Sequence, residues 1–219
     1  MANRNEVAAQ PVNQISKLDA ARRQIETALD LLFDNKDSLS VHTLAWAAFK
    51  VLFDLYPHHN QDGFDKQLDA LIGKEGWRAL SRAANFLKHA DKDPDAFLAS
   101  HHPIQGMTLL GFATLLYRRI SGNLTLKMMA FDCWTDELGY EQIGIEEVDE
   151  NPERAAAHKA IREKLRMLPF EEMIKIGKHQ YELFQTSFEE VQQRIADGKA
   201  EGLTITQIMD RHLGAELNP

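Results

Sequence analysis

The chain predicts an all-α fold: an up-and-down helical bundle over residues 15–140, followed by a helical C-terminal extension. Three observations carry that prediction. Apolar residues recur at three- and four-residue steps along most of the chain, and no sustained two-residue alternation breaks them. Polar clusters, Pro and Gly punctuate these segments at helix-length intervals. The composition, 44% hydrophobic and 26% charged over 219 residues, supplies enough apolar surface for a sizeable core.

The first helix is expected over residues 16–34, where Ile15, Leu18, Ile25, Leu29 and Leu32 share a face. Ser16 followed by Asp19 gives a loose capping box. The polar run 34–37 turns the chain. A second helix should start at Ser38 or Ser40 and stop at Tyr56, ahead of Pro57. Leu44, Ala48, Val51 and Leu55 form one of its faces; Trp46, Phe49 and Phe53 form another, so this helix should be central. After a polar loop at 57–63, a short helix over 64–72 leads into one over 74–90, with Trp77, Leu80, Ala84 and Leu87 on its apolar face. Residues 91–95 break it. Further helices are expected over 104–121, closed by Gly122, and over 124–138. Residues 141–153 hold six acidic and no basic residues and read as a solvated linker. The extension, residues 154–214, divides into segments over 152–167, 170–196 and 204–213 with thinner apolar faces.

Charge and cysteine content narrow the functional classes. With 33 acidic against 25 basic residues, the net charge of -8 argues against a generic nucleic-acid-coating protein. A single cysteine, Cys133, excludes an internal disulfide framework and a Cys-based zinc site, and fits a cytoplasmic location. Placed between Phe131 and Trp134, it is expected to be buried. The polar start, Met1 to Gln14, lacks the apolar run of a secretory leader. The longest apolar run, Met107 to Tyr117, is too short to span a bilayer. No membrane partner is expected.

One constellation could carry chemistry. Arg78, Arg82, Asn85 and His89 step by four, three and four along the helix expected over 74–90, which sets them in one polar stripe beside Lys88. Such a stripe offers a fixed cation, an amide and a titratable imidazole to one anion. It also reads as an ordinary solvated helix face. The segment from Arg82 through Asn85 to His89 and Asp91 resembles the signature of HEPN domains, an Arg followed by four to six spacers and a His on one helix. Ile15 to Ala21, the stretch around Ser40 and His42, and Asn85 to Asp91 also resemble a set of bacterial proteins. The HEPN resemblance, over about residues 15–135, implies an all-α bundle that either binds nucleotides or partners or cleaves RNA without metal. In the cleaving case His89 would move the proton of a ribose 2′-hydroxyl and Arg82 would stabilise the phosphate, across a homodimer interface. The chain has Ala83 where HEPN nucleases place a polar residue.

The remaining histidines are weaker candidates. His42, beside an apolar stretch, reads as a packed, hydrogen-bonded side chain. His58, His59, His101 and His102 fall in loops beside prolines, and His158, His179 and His212 on exposed helices. None shows a paired metal-ligand spacing, so no metal or cofactor is expected. Asp91, Asp93 and Asp95 start like a calcium loop, but Ala96 and His102 occupy its Gly and Glu positions; Asp95 reads as a turn and helix cap. Two readings stand. The first is a non-catalytic helical module that binds a partner or an anionic ligand, nucleotide or RNA, through Arg78, Arg82, Asn85, Lys88 and His89. The alternative is a metal-independent ribonuclease using Arg82 and His89.

Overall fold

The computed structural model describes residues 14–89, 91–98, 101–138, 159–160, 163–165 and 167–203. Among them the chain forms helices and turns and no strand, so the fold is all-α. Helix α1, Lys17–Phe33, starts where the Ser16 hydroxyl accepts the Asp19 N–H at 3.0 Å. The reciprocal half of the capping box does not form, because the Asp19 carboxylate takes Arg22 instead. Helix α2, Ser38–His59, is capped by Asp37, whose Oδ2 accepts the Ser40 N–H at 2.8 Å and the Ser40 hydroxyl at 2.7 Å. The helix does not stop at Tyr56: Pro57 lies inside its last turn. Proline's fixed φ is helical, and its missing N–H costs the ladder one bond, to the Phe53 carbonyl, two residues before the helix ends.

Helix α3, Phe64–Lys88, joins the two segments expected there, and Gly73 kinks it at φ 59° and ψ 173°. Helix α4, Ile104–Ser121, ends on left-handed Gly122. Helix α5, Leu126–Glu137, is capped by Thr125. Helix α6, Phe170–Ala200, belongs to the extension. The acidic segment 141–153 and the segment over 204–213, with His158 and His212, lie outside the described residues.

The core is built around α2, which packs on α1, α3 and α4. Val41, Ala45, Ala48, Phe49, Leu52 and Tyr56 are all buried along it. Phe49 sits among the rings of Trp46, Phe53, Trp77 and Phe112, with centroids 5.5 to 6.1 Å away. Three expectations for apolar positions fail. Ile15 precedes α1 and is exposed, Leu87 near the end of α3 is exposed, and Cys133 points outward.

Helix α6 docks on α1 and α5 through Met173, Ile174, Gly177 and Tyr181. The Tyr181 ring stacks on Phe33 at 4.3 Å, and its hydroxyl donates to Asp30 Oδ1 at 3.0 Å. Lys127 of α5 reaches the same carboxylate at 2.6 Å, and Lys178 binds Asp34 at 2.8 Å. Burial, then the Asp30 charge, pushes the Tyr181 phenol well above its ordinary range.

Candidate functional site

The polar stripe occupies the second half of α3. The first half meets α2 through Leu68; beyond Gly73 only Leu80 and Ala83 are buried. Trp77 adds a partly buried ring against Trp46, Phe49 and Phe53 and donates its indole N–H to Asp69 Oδ1 at 2.7 Å. The rest of this half turns to solvent, because α2 covers one side of it only.

Arg78, Arg82, Asn85 and Lys88 are all exposed there. Arg78 is already paired, its Nη1 lying 3.0 Å from both carboxylate oxygens of Glu75. Arg82, Asn85 and Lys88 make no side-chain hydrogen bond or ion pair among the described residues. His89 departs from the regular stripe. It is the C-cap of α3, at φ −111° and ψ 29°, half-buried rather than sealed. Its N–H donates to the Asn85 carbonyl, and its own carbonyl accepts the Lys92 N–H at 2.8 Å as the chain turns away. Lys88, in the last turn, suits the negative end of the helix dipole.

The stripe is an exposed helix face. A cavity of 310 Å³ lies elsewhere, between the turn at Lys36 and Asp37 and the starts of α4 and α6 at Pro103 and Phe170; no stripe residue lines it. Arg82 and His89 therefore do not converge on that cavity.

The other histidines divide by burial. His42 is fully buried, and its Nε2 lies 2.9 Å from the Leu80 carbonyl, so the neutral ring donates Nε2–H to it. Desolvation holds its pKa below the usual imidazole value, with His101 acting in the same direction and the Leu80 bond against it. His101 packs edge-on against it at 5.4 Å. His102 is not idle: its Nδ1 accepts the Ile104 N–H at 3.2 Å at the start of α4. His58 and His59 are exposed at the end of α2 rather than in a loop, and His179 is exposed on α6. Asp95 lies in a turn, and no helix starts there. Among the described residues, no three His, Cys, Asp or Glu side chains converge as metal ligands.

One polar cluster had no signal in local spacing. Tyr56 donates its hydroxyl to Asp62 Oδ2 at 2.9 Å, Arg119 donates Nε to the Tyr56 oxygen at 2.8 Å and Nη2 to Asp62 at 3.0 Å. The Arg119 guanidinium also lies 4.0 Å from the Phe64 ring. Every member has its partner, so the cluster is a clasp between the α2–α3 loop and the end of α4. No helix among the described residues is long and apolar enough to cross a membrane. Comparison of the chain with protein-family models, with curated proteins and with solved structures finds no match.

Proposed function

We propose that the chain is a non-catalytic helical module that binds an anionic, phosphate-bearing ligand, a nucleotide or RNA, through Arg82, Asn85 and Lys88, with Arg78 and His89 at the margins. The observation that carries this reading is that Arg82, Asn85 and Lys88 stand exposed on one helix with no side-chain partner. An unpaired guanidinium and an ammonium give up no internal contact when they meet phosphate, and the amide adds a neutral donor and acceptor. Phe97, 94% exposed on the segment after the stripe, offers an aromatic face on which a base can stack.

The ribonuclease reading keeps one supporting observation, that His89 retains access to solvent. Against it stand the exposed setting of the stripe and the position of His89 at the C-cap, outside the helix. A proton carrier must be held within hydrogen-bond reach of the atom it serves. A second copy of the chain would have to supply the missing wall, as a homodimer.

The test is fluorescence anisotropy with labelled single-stranded RNA and a labelled nucleoside triphosphate, at low and physiological salt. Binding should weaken about tenfold or more in Arg82→Ala, as expected for loss of a charged contact worth roughly 1–3 kcal/mol. The salt slope should fall by about one in Lys88→Ala. Absence of binding to either probe, or unchanged binding in both variants, refutes the reading. RNA cleavage without metal, lost in His89→Ala, would replace it with the nuclease.

A further inference from the structure

The half of α3 that carries the stripe is attached to the bundle on one side, and one of its ties can be switched by a proton. At its base, Gly73 adopts a φ of 59° and ψ of 173°, a conformation that residues with a Cβ avoid. Beyond it, Leu80 and Ala83 are the buried side chains, with Trp77 partly covered. Two polar bonds hold this half: the Trp77 indole N–H donates to Asp69 Oδ1 at 2.7 Å across Gly73, within α3, and His42 Nε2 on α2 ties the Leu80 carbonyl to a neighbouring helix at 2.9 Å. The His42 bond fixes the tautomer: Nε2 holds the hydrogen and Nδ1 holds a lone pair. Nδ1 is buried and has no hydrogen-bond partner.

As placed, His42 Nδ1 has no acceptor within hydrogen-bond distance. The ring of His101 lies edge-on at 5.4 Å, and both its nitrogens are also buried without partners. Helix α4 presents the backbone of Gly106, and α3 presents the Leu80 carbonyl. The titratable group acting on His42 is His101; the nearby Asp37 carboxylate is already occupied by Ser40.

We propose that residues 74–88 form a hinged arm, with Gly73 as hinge and the His42–Leu80 hydrogen bond as latch, and that acid opens the latch. Protonation would place a charged N–H at the Nδ1 position, in a dry site, facing a second imidazole. The imidazolium reaches water when the arm swings away, and the Leu80 bond breaks as it does. In the open state His42 titrates near its ordinary 6.5. One proton taken up on opening then raises the opening constant about tenfold between pH 7.5 and 5.5. The latch stands on this geometry alone; that it governs ligand binding rests on the stripe being the binding face.

Native-state amide hydrogen exchange on the ligand-free protein reads the latch separately from binding. After correction for intrinsic rates, the opening constant of amides 77–88 should rise about tenfold from pH 7.5 to 5.5, while α1 and the middle of α2 stay unchanged. In His42→Gln, which keeps a donor toward Leu80 and removes the titration, the rise should vanish. A flat response, an equal rise in every helix, or a rise that survives in His42→Gln overturns the proposal. Should that variant not fold, ring NMR of the wild type decides: His42 must stay in the neutral Nε2–H form at pH 6. A His42 ring that titrates near 6.5 with the arm amides still protected overturns the latch.

Discussion

Gly177 is where α6 comes closest to the bundle, and replacing it by alanine gives a result whose sign can be worked out. A Cβ built there lies 2.4, 2.7 and 2.8 Å from Trp134 Cε2, Nε1 and Cζ2. Carbon atoms pack best at about 3.5–4.0 Å, so ring and helix must part by about 1 Å. The indole has little room to retreat: it is 2% exposed and packs against Phe33 at 5.2 Å and Phe131 at 6.1 Å. Forcing a methyl into a contact this short, against a ring that cannot retreat, costs about 2–3 kcal/mol, the upper part of the overpacking range. Alanine recovers roughly 1 kcal/mol as the better helix former, leaving a net loss of about 1–2 kcal/mol. Gly111 supplies the control. It lies inside α4, and a Cβ there meets nothing within 4 Å. Gly111→Ala should therefore stabilise by about 0.5–1 kcal/mol through propensity alone. Urea unfolding of the two variants should shift the midpoint in opposite directions with unchanged slopes. A Gly177→Ala protein as stable as the wild type would refute the close approach of α6 to Trp134.

Phe49→Ala should cost about 3–5 kcal/mol in the same assay, since it empties the middle of an aromatic cluster around a fully buried position; a loss under about half a kcal/mol would show that α2 is not central. Asp37→Ala should cost about 0.5–2 kcal/mol at neutral pH through loss of the α2 cap. The Ser40 hydrogen bonds hold the Asp37 carboxyl below its ordinary 3.8, so its contribution is present above that pH and is lost as pH falls through the folded value. The difference from wild type should accordingly shrink in acid, and a gap that stays constant down to pH 2 would contradict the cap.

The helices were legible because burial repeats at the helical period, and the errors arise where another constraint intervenes. Cys133 is instructive. Phe131, Trp134 and Leu138 are buried at spacings of three and four, so they mark the inner face of α5. Cys133 stands two residues from Phe131, about 200° around the helix, and must point away. Adjacency suggested burial; periodicity, applied strictly, places it outside. Leu87 fails for a different reason. It is seven residues from Leu80 and shares its face, yet it is exposed because the contact with α2 has ended by that turn. Pro57 is a boundary error: a proline in a final turn removes little, so the helix runs past it. The clasp of Tyr56, Asp62 and Arg119 joins residues 57 and 63 apart in sequence, and no local pattern encodes such a pairing.

The candidate site was legible as a spacing and not as a shape. Counting residues placed Arg82 and His89 two turns apart on one side of a helix, and α3 does carry Arg78, Arg82 and Asn85 in that register. Counting could not show that the helix ends at Lys88, which leaves His89 outside it. Nor could it show that His42, 38 residues before Leu80, would spend its one donor on that carbonyl. These two facts bear on function in opposite ways. The first weakens catalysis, because a general acid needs a fixed ring and His89 sits where the backbone turns away. The second would give a binding role a control, if the stripe is the binding face, because the stripe lies on the part of α3 that His42 ties to α2. A local opening is one that a ligand or a proton with a preference for one state can shift. A phosphate-bearing ligand that bound only the closed arm would favour the neutral latch, and would lower the affinity of His42 for its proton by the same factor. For such a ligand, affinity and the acid response of amides 77–88 would be two measurements of one equilibrium. If both readings hold, saturating ligand must suppress the rise in exchange at pH 5.5.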